Sequence, residues 1–430
     1  MNIMLIGNGF DIHYKLPTKY QNFLHVVDFL QNYYDDSMTT VGAVLGDERL
    51  HEQDKFIEDS YSTYGNIYDQ TKLDSKEIHH LITLANSNIW YSYLLSTYNQ
   101  DIGWIDFEKE ISVVCSCFQI LFESDSIKYD TSKNELKIFF KSAFKSDADR
   151  YIVSRKFNFF FEGSSYKGVF SSGLTGEDDG GMPAFGNVKK DYFLNIPFGS
   201  NNIVLDIDKV VATLSEQLES LAEMLKIYLR CFVENVCDKL VDNEIIHPLG
   251  LNIDHVITFN YTKTYEKLDS LADVIHIHGC TDDNLVLGIN PDHNDDLESV
   301  DTTFISFKKY FQRTLFRTDL PYLDFIREVN QANKSVGREF RSLYVLGHSL
   351  DITDADVIKD LFLSSDIITI LCHSNNAVRS YIPNLIKIFG KETFDKLRLE
   401  KQLRFRLTAT ELNDVINEQL DYSSRCFIRC

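Results

Sequence analysis

The chain changes rhythm partway along, and that change constrains the fold most. Beyond about residue 250, short β-rich runs alternate with helical patterns. The runs cover residues 255–259, 274–277, 285–287, 342–346 and 367–371, with helical spacing over 262–271 and 354–363. Such alternation argues for a parallel sheet with helices on its faces. An apolar strand at residues 3–6 opens the chain and has no partner nearby in sequence. The economical solution places it in one sheet with the C-terminal strands. The expected class is α/β, a Rossmann-like parallel sheet. Residues 1–24 and 250–430 form its core, and 25–249 a large, mostly helical insertion domain.

Inside that middle region, residues 81–98 and 106–121 read as helices. The longest helical pattern, 207–241, repeats Leu214, Leu218, Leu221, Leu225 and Leu229 as a core stripe. Residues 157–161 are aromatic and strand-like. Residues 173–186 hold five glycines and three acids and read as a flexible loop.

Composition removes several classes of function. Lys plus Arg number 43 against 64 Asp plus Glu, a net charge of −21. Nucleic acid and anionic membranes need basic surface, so both are disfavoured as partners. Lys308-Lys309 and Arg313 to Arg317 read as solvated faces. No apolar run is long enough to span a bilayer, and the N-terminus lacks a signal-peptide pattern. The eight cysteines form no Cys-x-x-Cys pair, which fits reduced thiols in a cytoplasmic protein.

Ligands of open α/β sheets bind outside the carboxyl ends of the strands. Four expected strand ends carry distinctive residues: Gly7-Asn8-Gly9-Phe10-Asp11, Thr258-Phe259-Asn260-Tyr261-Thr262, His276-Ile277-His278-Gly279 and Gly347-His348-Ser349-Leu350-Asp351. Gly7-x-Gly9 is either a plain tight turn or a turn whose N–H groups cradle a pyrophosphate; Ile12 stands where a dinucleotide fingerprint wants a third glycine. Asn260 is either a junction cap or a group that places a water; Thr262 reads as the cap of the next helix, which frees Asn260. His278, at a strand's edge, suits general-base work, while His276 sits deeper and reads as structural. His276-x-His278 lacks a third metal ligand, so no metal site is expected. Asp354 reads as a helix N-cap and Asp351 is ambiguous. A Ser-His-Asp hydrolase would want a Gly-x-Ser-x-Gly elbow, which is missing.

Taken together these segments resemble the AbiH family of bacteriophage abortive-infection proteins. The likeness runs through Leu5-Ile6-Gly7-Asn8-Gly9-Phe10-Asp11, Leu16-Pro17-Thr18-x-Tyr20-x-x-Phe23 and Trp104-Ile105-Asp106-Phe107-Glu108. It continues in Phe259-Asn260-Tyr261-Thr262, His276-Ile277-His278-Gly279, Leu287-Gly288-Ile289-Asn290 and Leu346-Gly347-His348-Ser349-Leu350. More distantly, the same order resembles the sirtuin-like NAD-binding core. That resemblance implies Asn260 and His278 as a catalytic pair. It implies Gly7, Asn8, Gly9, Phe10, Asp11, Gly347, His348 and Ser349 as the residues that hold NAD. Thr262 stands where sirtuins carry an aspartate, with Asp11 available to compensate. Lys19-Tyr20 replaces their Phe-Arg, and their four-cysteine zinc module is missing.

The implied activity is hydrolysis of NAD to nicotinamide and ADP-ribose, with NAD as substrate and no further cofactor. A non-catalytic nucleotide-binding sensor acting through a partner, and a nucleic-acid-directed effector, are the alternatives. A phage-derived trigger or a partner defence protein is the expected regulator, and self-association into a homo-oligomer stays open.

Overall fold

The computed structural model describes residues 1–98, 106–163, 174–177, 183–195, 203–237, 251–269, 271–289, 302–335, 341–408 and 415–416. In chain order the strands are β1 (Asn2–Ile6), β2 (Ile127–Asp130), β3 (Glu135–Phe139), β4 (Leu174–Glu177), β5 (Pro183–Asn187), β6 (Phe193–Asn195), β7 (Ile203–Leu205), β8 (His255–Thr258), β9 (Asp273–His276), β10 (Ser342–Leu346), β11 (Ile367–Cys372) and β12 (Leu403–Leu407). Six of them form one sheet in the order β12-β11-β10-β1-β8-β9. Every pair in it is parallel, with Ile3 beside Leu343 on one flank and His255 on the other. The opening strand therefore does join the C-terminal ones, and it sits at the centre.

Period-two alternation splits the side chains of β1 between two cores. Ile3 and Leu5 face a cluster with Ile257, Ile275, Val345, Ile370 and the helices Ala355–Ser364 and Asn375–Leu399. Met4 and Ile6 face Phe10, Val256, Tyr265 and Leu371. Both faces are covered, as an all-parallel sheet requires.

The winding of the sheet has a functional consequence. The chain runs from β1 outward through β8 to β9, then returns to the other flank of β1 for β10, β11 and β12. The direction of winding reverses between β1 and β10. In doubly wound sheets the crevice at that reversal is where ligands bind.

Between β1 and β8 the chain builds a mostly helical body around a second, larger core. Its spine is Ile207–Leu229, capped by the Asp206 carboxylate on Lys209 N–H. Leu214, Leu218, Leu221, Leu225 and Leu229 are all buried, as their spacing implies. Trp90 Nε1 donates to Leu214 O at 2.9 Å, and Tyr228 donates to Pro17 O at 2.6 Å. Five residues from beyond β8, namely Leu285, Leu287, Ile289, Phe304 and Phe307, also pack into this core.

Several local expectations need correction. Residues 81–98 are not one helix but parts of Ser75–Ser87 and Ile89–Thr97. Asn88 ends the first and caps the second, its side chain accepting from Tyr91 N–H at 2.8 Å. Residues 157–161 form a buried aromatic turn rather than a strand, because Phe157, Phe160 and Phe161 pack on Trp90, Phe118 and Phe140. The described parts of the glycine-rich stretch 173–186 are not a loop. They belong to β4 and β5, in an antiparallel sheet of order β2-β3-β5-β4. Gly186 is needed there, since a Cβ would lie 2.6 Å from the Phe161 ring. Residues 285–287 lie outside the sheet, and the helix expected over 262–271 is only Thr264–Leu268. The last strand, β12, carries Arg404 and Arg406 between apolar residues and escaped the apolar pattern. Cys115 and Cys117 are helix residues, as expected, and all six cysteines among the described residues are buried and outside any disulfide. No helix among those residues is long and apolar enough to cross a membrane.

Candidate functional site

A cavity of about 430 Å³ opens at the carboxyl ends of β1, β8 and β10. That volume suits a small-molecule ligand, whose sites run from about 300 to 1,000 Å³. Its wall draws on all four segments singled out above: Gly7, Asn8, Gly9 and Asp11; Asn260; His278; and Gly347, His348 and Ser349. The helical body adds Tyr20, Glu108, Leu225 and Leu229. Phe10 is the exception, turned into the sheet core against Tyr14 and Tyr265.

The glycines serve close packing of two turns. Gly347 has φ +67°, and a Cβ on it would lie 2.3 Å from Phe10 N. A Cβ on Gly9 would lie 2.7 Å from Gly347 O. Gly9 N–H donates to that oxygen at 2.8 Å, and Phe10 N–H donates to Gly7 O at 2.8 Å. Asn8 is also engaged, exchanging hydrogen bonds with Thr18.

Asp11 lies under Asn260. Its Oδ2 accepts from Asn260 Nδ2 at 3.2 Å and from the Thr262 hydroxyl at 2.6 Å. Burial raises the Asp11 carboxyl to about 6, against the lowering effect of the Thr262 and Thr264 hydroxyls. With its amide nitrogen held by Asp11, Asn260 is left with Oδ1, buried and without a hydrogen-bond partner. Thr262 is thus no helix cap: the cap position falls to Lys263, and the Thr262 hydroxyl serves Asp11.

His278 is buried beside Asp354. Its Nε2 is 3.3 Å from Asp354 Oδ1, and that oxygen also receives Lys309 Nζ at 2.9 Å. Burial, then the Lys309 charge, lowers His278 to about 4, so the imidazole is neutral at pH 7. Nε2 lies within ion-pair distance of Asp354 but has no hydrogen-bond partner. His348 holds the other Asp354 oxygen. Its Nδ1 accepts from Leu350 N–H at 2.9 Å, so its Nε2 carries the proton, 3.5 Å from Oδ2. The Phe259 ring separates the two imidazoles, with centroids 5.1 Å from His278 and 4.4 Å from His348. Ser349 is exposed, and its carbonyl accepts from Asn384.

Four assignments change here. Asp354 stands at a helix start but its side chain makes no cap hydrogen bond; it is the carboxylate that both histidines share. Lys309 is not on a solvated face. It is 1% exposed and bridges Asp354 to Glu108 Oε1, at 2.8 Å, on the helix Phe107–Glu123. Arg313 is likewise buried and paired with Asp356. His276, expected to be the deeper of the two histidines, is the more exposed one. Its ring bridges Asn260 O and Glu266. Burial raises Glu108 above the ordinary carboxylate range despite Lys309, whereas Lys309 holds Asp354 well below it. Nothing local in the sequence marks Lys309 as part of the site.

Fold and cavity together define an open, doubly wound α/β protein with a polar crevice at its switch point. Residues 199–371 match the sequence model of a family described as bacteriophage abortive infection AbiH. That is a matched segment of the chain, less than half of its length. It includes β8, β9 and β10 and, from the cavity wall, Asn260, His278, Gly347, His348 and Asp354. The match supports a role in abortive infection. No curated protein and no solved structure matches the chain.

Proposed function

We propose that the protein is an abortive-infection effector that hydrolyses NAD to nicotinamide and ADP-ribose in the switch-point cavity. One observation carries the reading. An unpartnered acceptor on Asn260 and a neutral imidazole on His278, backed by Asp354, line the same cavity. In this reaction the bond from ribose C1′ to the pyridinium nitrogen breaks. Its electron pair neutralises the ring, so the leaving group needs no acid. Asn260 Oδ1 accepts a hydrogen bond from the attacking water and fixes its position. The water oxygen bonds to C1′, and its proton passes to the His278 imidazole. Asp354 stabilises the imidazolium that forms, as a buried carboxylate does for a general-base histidine. The sirtuin-like order of the Gly7, Asn260, His278 and Gly347 segments supports the choice of NAD.

The test is purified protein with NAD, following free nicotinamide and ADP-ribose by chromatography. Wild type should release both. Asn260→Ala and His278→Ala should release neither while keeping the wild-type circular dichroism. Full activity in either variant would remove that residue from the mechanism. NAD binding without release by wild type would favour a nucleotide sensor instead.

A further inference from the structure

Asn260 lies just past the end of β8, where its carbonyl is outside the sheet's ladder. The ring of His276, the last residue of β9, supplies the missing bond, with Nδ1 3.0 Å from Asn260 O. Asn260 is held on two other sides as well. Its N–H donates to the Thr258 hydroxyl at 3.0 Å, and its Nδ2 donates to Asp11.

The other nitrogen of the His276 ring, Nε2, is 2.6 Å from Glu266 Oε1 on the helix Thr264–Leu268. Both partners are acceptors. A carbonyl has no hydrogen to give, and neither has a carboxylate. A neutral imidazole carries a single N–H, so serving both partners takes the imidazolium. The charges around the ring agree. Glu234 faces it from the turn Arg230–Glu234 that ends the long helix, and β8 places the uncharged Thr258 beside it. Lys263 meets Glu234 through its backbone N–H and turns its ammonium to Asp282. Against burial, which lowers it, Glu266, the Asn260 carbonyl and Glu234 raise His276 above its ordinary 6.5.

We propose that His276, held as an imidazolium by Glu266, is a positioning residue for Asn260 and makes the site sensitive to alkaline pH. It holds the Asn260 peptide from behind while Asp11 holds the amide nitrogen, so Oδ1 keeps its place in the cavity. Loss of the second ring proton sets a lone pair against either the Asn260 carbonyl or the Glu266 carboxylate, and one of the two bonds breaks. Because the folded-state value is raised, the clamp is complete below 6.5 and is lost as pH rises through that raised value. The inference rests on the reading of Asn260 as the group that places the water, and adds what keeps that group in place.

The test joins a spectroscopic titration of the full chain to a rate profile. NMR of protein isotope-labelled at histidine and asparagine nitrogens follows both groups, with His276→Gln and Asn260→Ala assigning the signals. The His276 ring should be mostly doubly protonated at pH 6.5, and the Asn260 side-chain amide should shift with the same midpoint as the ring. Glu266→Gln should move both midpoints to lower pH by about one unit or more, the effect of removing an opposite charge within hydrogen-bond reach. In NAD hydrolysis kcat should fall on the alkaline side at that midpoint with KM unchanged, and Glu266→Gln should carry the limb with it. His278, lowered to about 4, titrates too far down to supply that limb. His255→Gln should leave midpoint and limb in place, since the His255 ring meets Asp273 at the opposite end of the same two strands. A ring mostly neutral at pH 6.5, or an Asn260 signal that ignores Glu266→Gln, overturns the clamp. So does an alkaline limb that stays put while the ring midpoint moves. The two readings fail separately: absence of nicotinamide release removes the chemistry, while the ring and Asn260 signals still decide the clamp.

Discussion

Replacing Lys309 by methionine tests the electrostatic design of the site most directly. The ammonium is 1% exposed and lies 2.9 Å from Asp354 and 2.8 Å from Glu108. Methionine keeps most of the side-chain volume and removes the charge. Two buried carboxylates then lose their shared cation, and breaking a buried pair from one side costs about 3–5 kcal/mol. Part of that loss can be recovered by taking up protons. Glu108, already raised by burial, rises further, and His278 rises from about 4 once the Lys309 charge is gone. Both changes make the variant's folded state bind protons that the wild-type folded state does not. Each such proton changes relative stability by about 1.4 kcal/mol per pH unit, in favour of the variant as pH falls. The full loss is therefore expected near pH 8, and a smaller one near pH 5. Urea unfolding at a series of pH values reads both quantities. Glu108→Gln in the Lys309→Met background should restore part of the stability at pH 8. A loss below about 1 kcal/mol at pH 8, or a gap that does not narrow in acid, would refute the shared-cation account.

Other outcomes follow from single residues. His278, lowered to about 4, should titrate by NMR well below an ordinary histidine; it costs stability as pH falls from 6.5 toward 4, and His278→Gln should remove that slope. Asp11 has the opposite sign: raised from 3.8 to about 6, it withdraws up to about 3 kcal/mol as pH rises across that window. Asp11→Asn should flatten that part of the stability profile, and an unchanged slope would place the titration elsewhere. Gly347→Ala must accept both a φ of +67° and a contact 2.3 Å from Phe10 N, whereas Gly390→Ala meets φ +76° with nothing within 4 Å. Gly390 also has ψ 156°, a region essentially reserved for glycine, so the second should cost about 1–3 kcal/mol and the first clearly more; equal losses would show that the close contact at Gly347 relaxes freely.

The convergence of strand ends was legible because it depends on topology and on apolar runs. An isolated strand at residues 3–6 needed partners, and only the β-rich C-terminal region could supply them. That placed Gly7, Asn260, His278 and Gly347 at one sheet edge. The charged support of the site was not legible. Asp354 and Thr262 each precede a helix, and local sequence reads such residues as caps. Asp351 takes the capping bond on the short turn Ile352–Asp354, which leaves the Asp354 carboxylate for the histidines. Lys309 is buried by Glu108, from a helix formed far earlier in the chain. No periodicity records a contact of that range. The strands of the middle region were hidden by glycine and acid content, although β4 and β5 pair across that same stretch.

The boundary between sheet core and helical body is also not where sequence divides them. Leu285, Leu287, Ile289, Phe304 and Phe307 follow β9 in the chain yet pack with Phe122, Trp90 and the long helix. Removing residues 25–249 and joining the ends with a short linker would expose all five. At about 1.5–3 kcal/mol for each large apolar side chain, the loss approaches 10 kcal/mol. That is comparable to the whole stability of an ordinary domain, about 5–15 kcal/mol. The same deletion removes Glu108, so Lys309 would keep one of its two carboxylates, and it removes the Leu225 and Leu229 wall of the cavity. The shortened chain should therefore aggregate or lack cooperative unfolding, and release no nicotinamide from NAD. A soluble monomer that unfolds cooperatively would show that the sheet core holds together, and shapes its crevice, without the helical body.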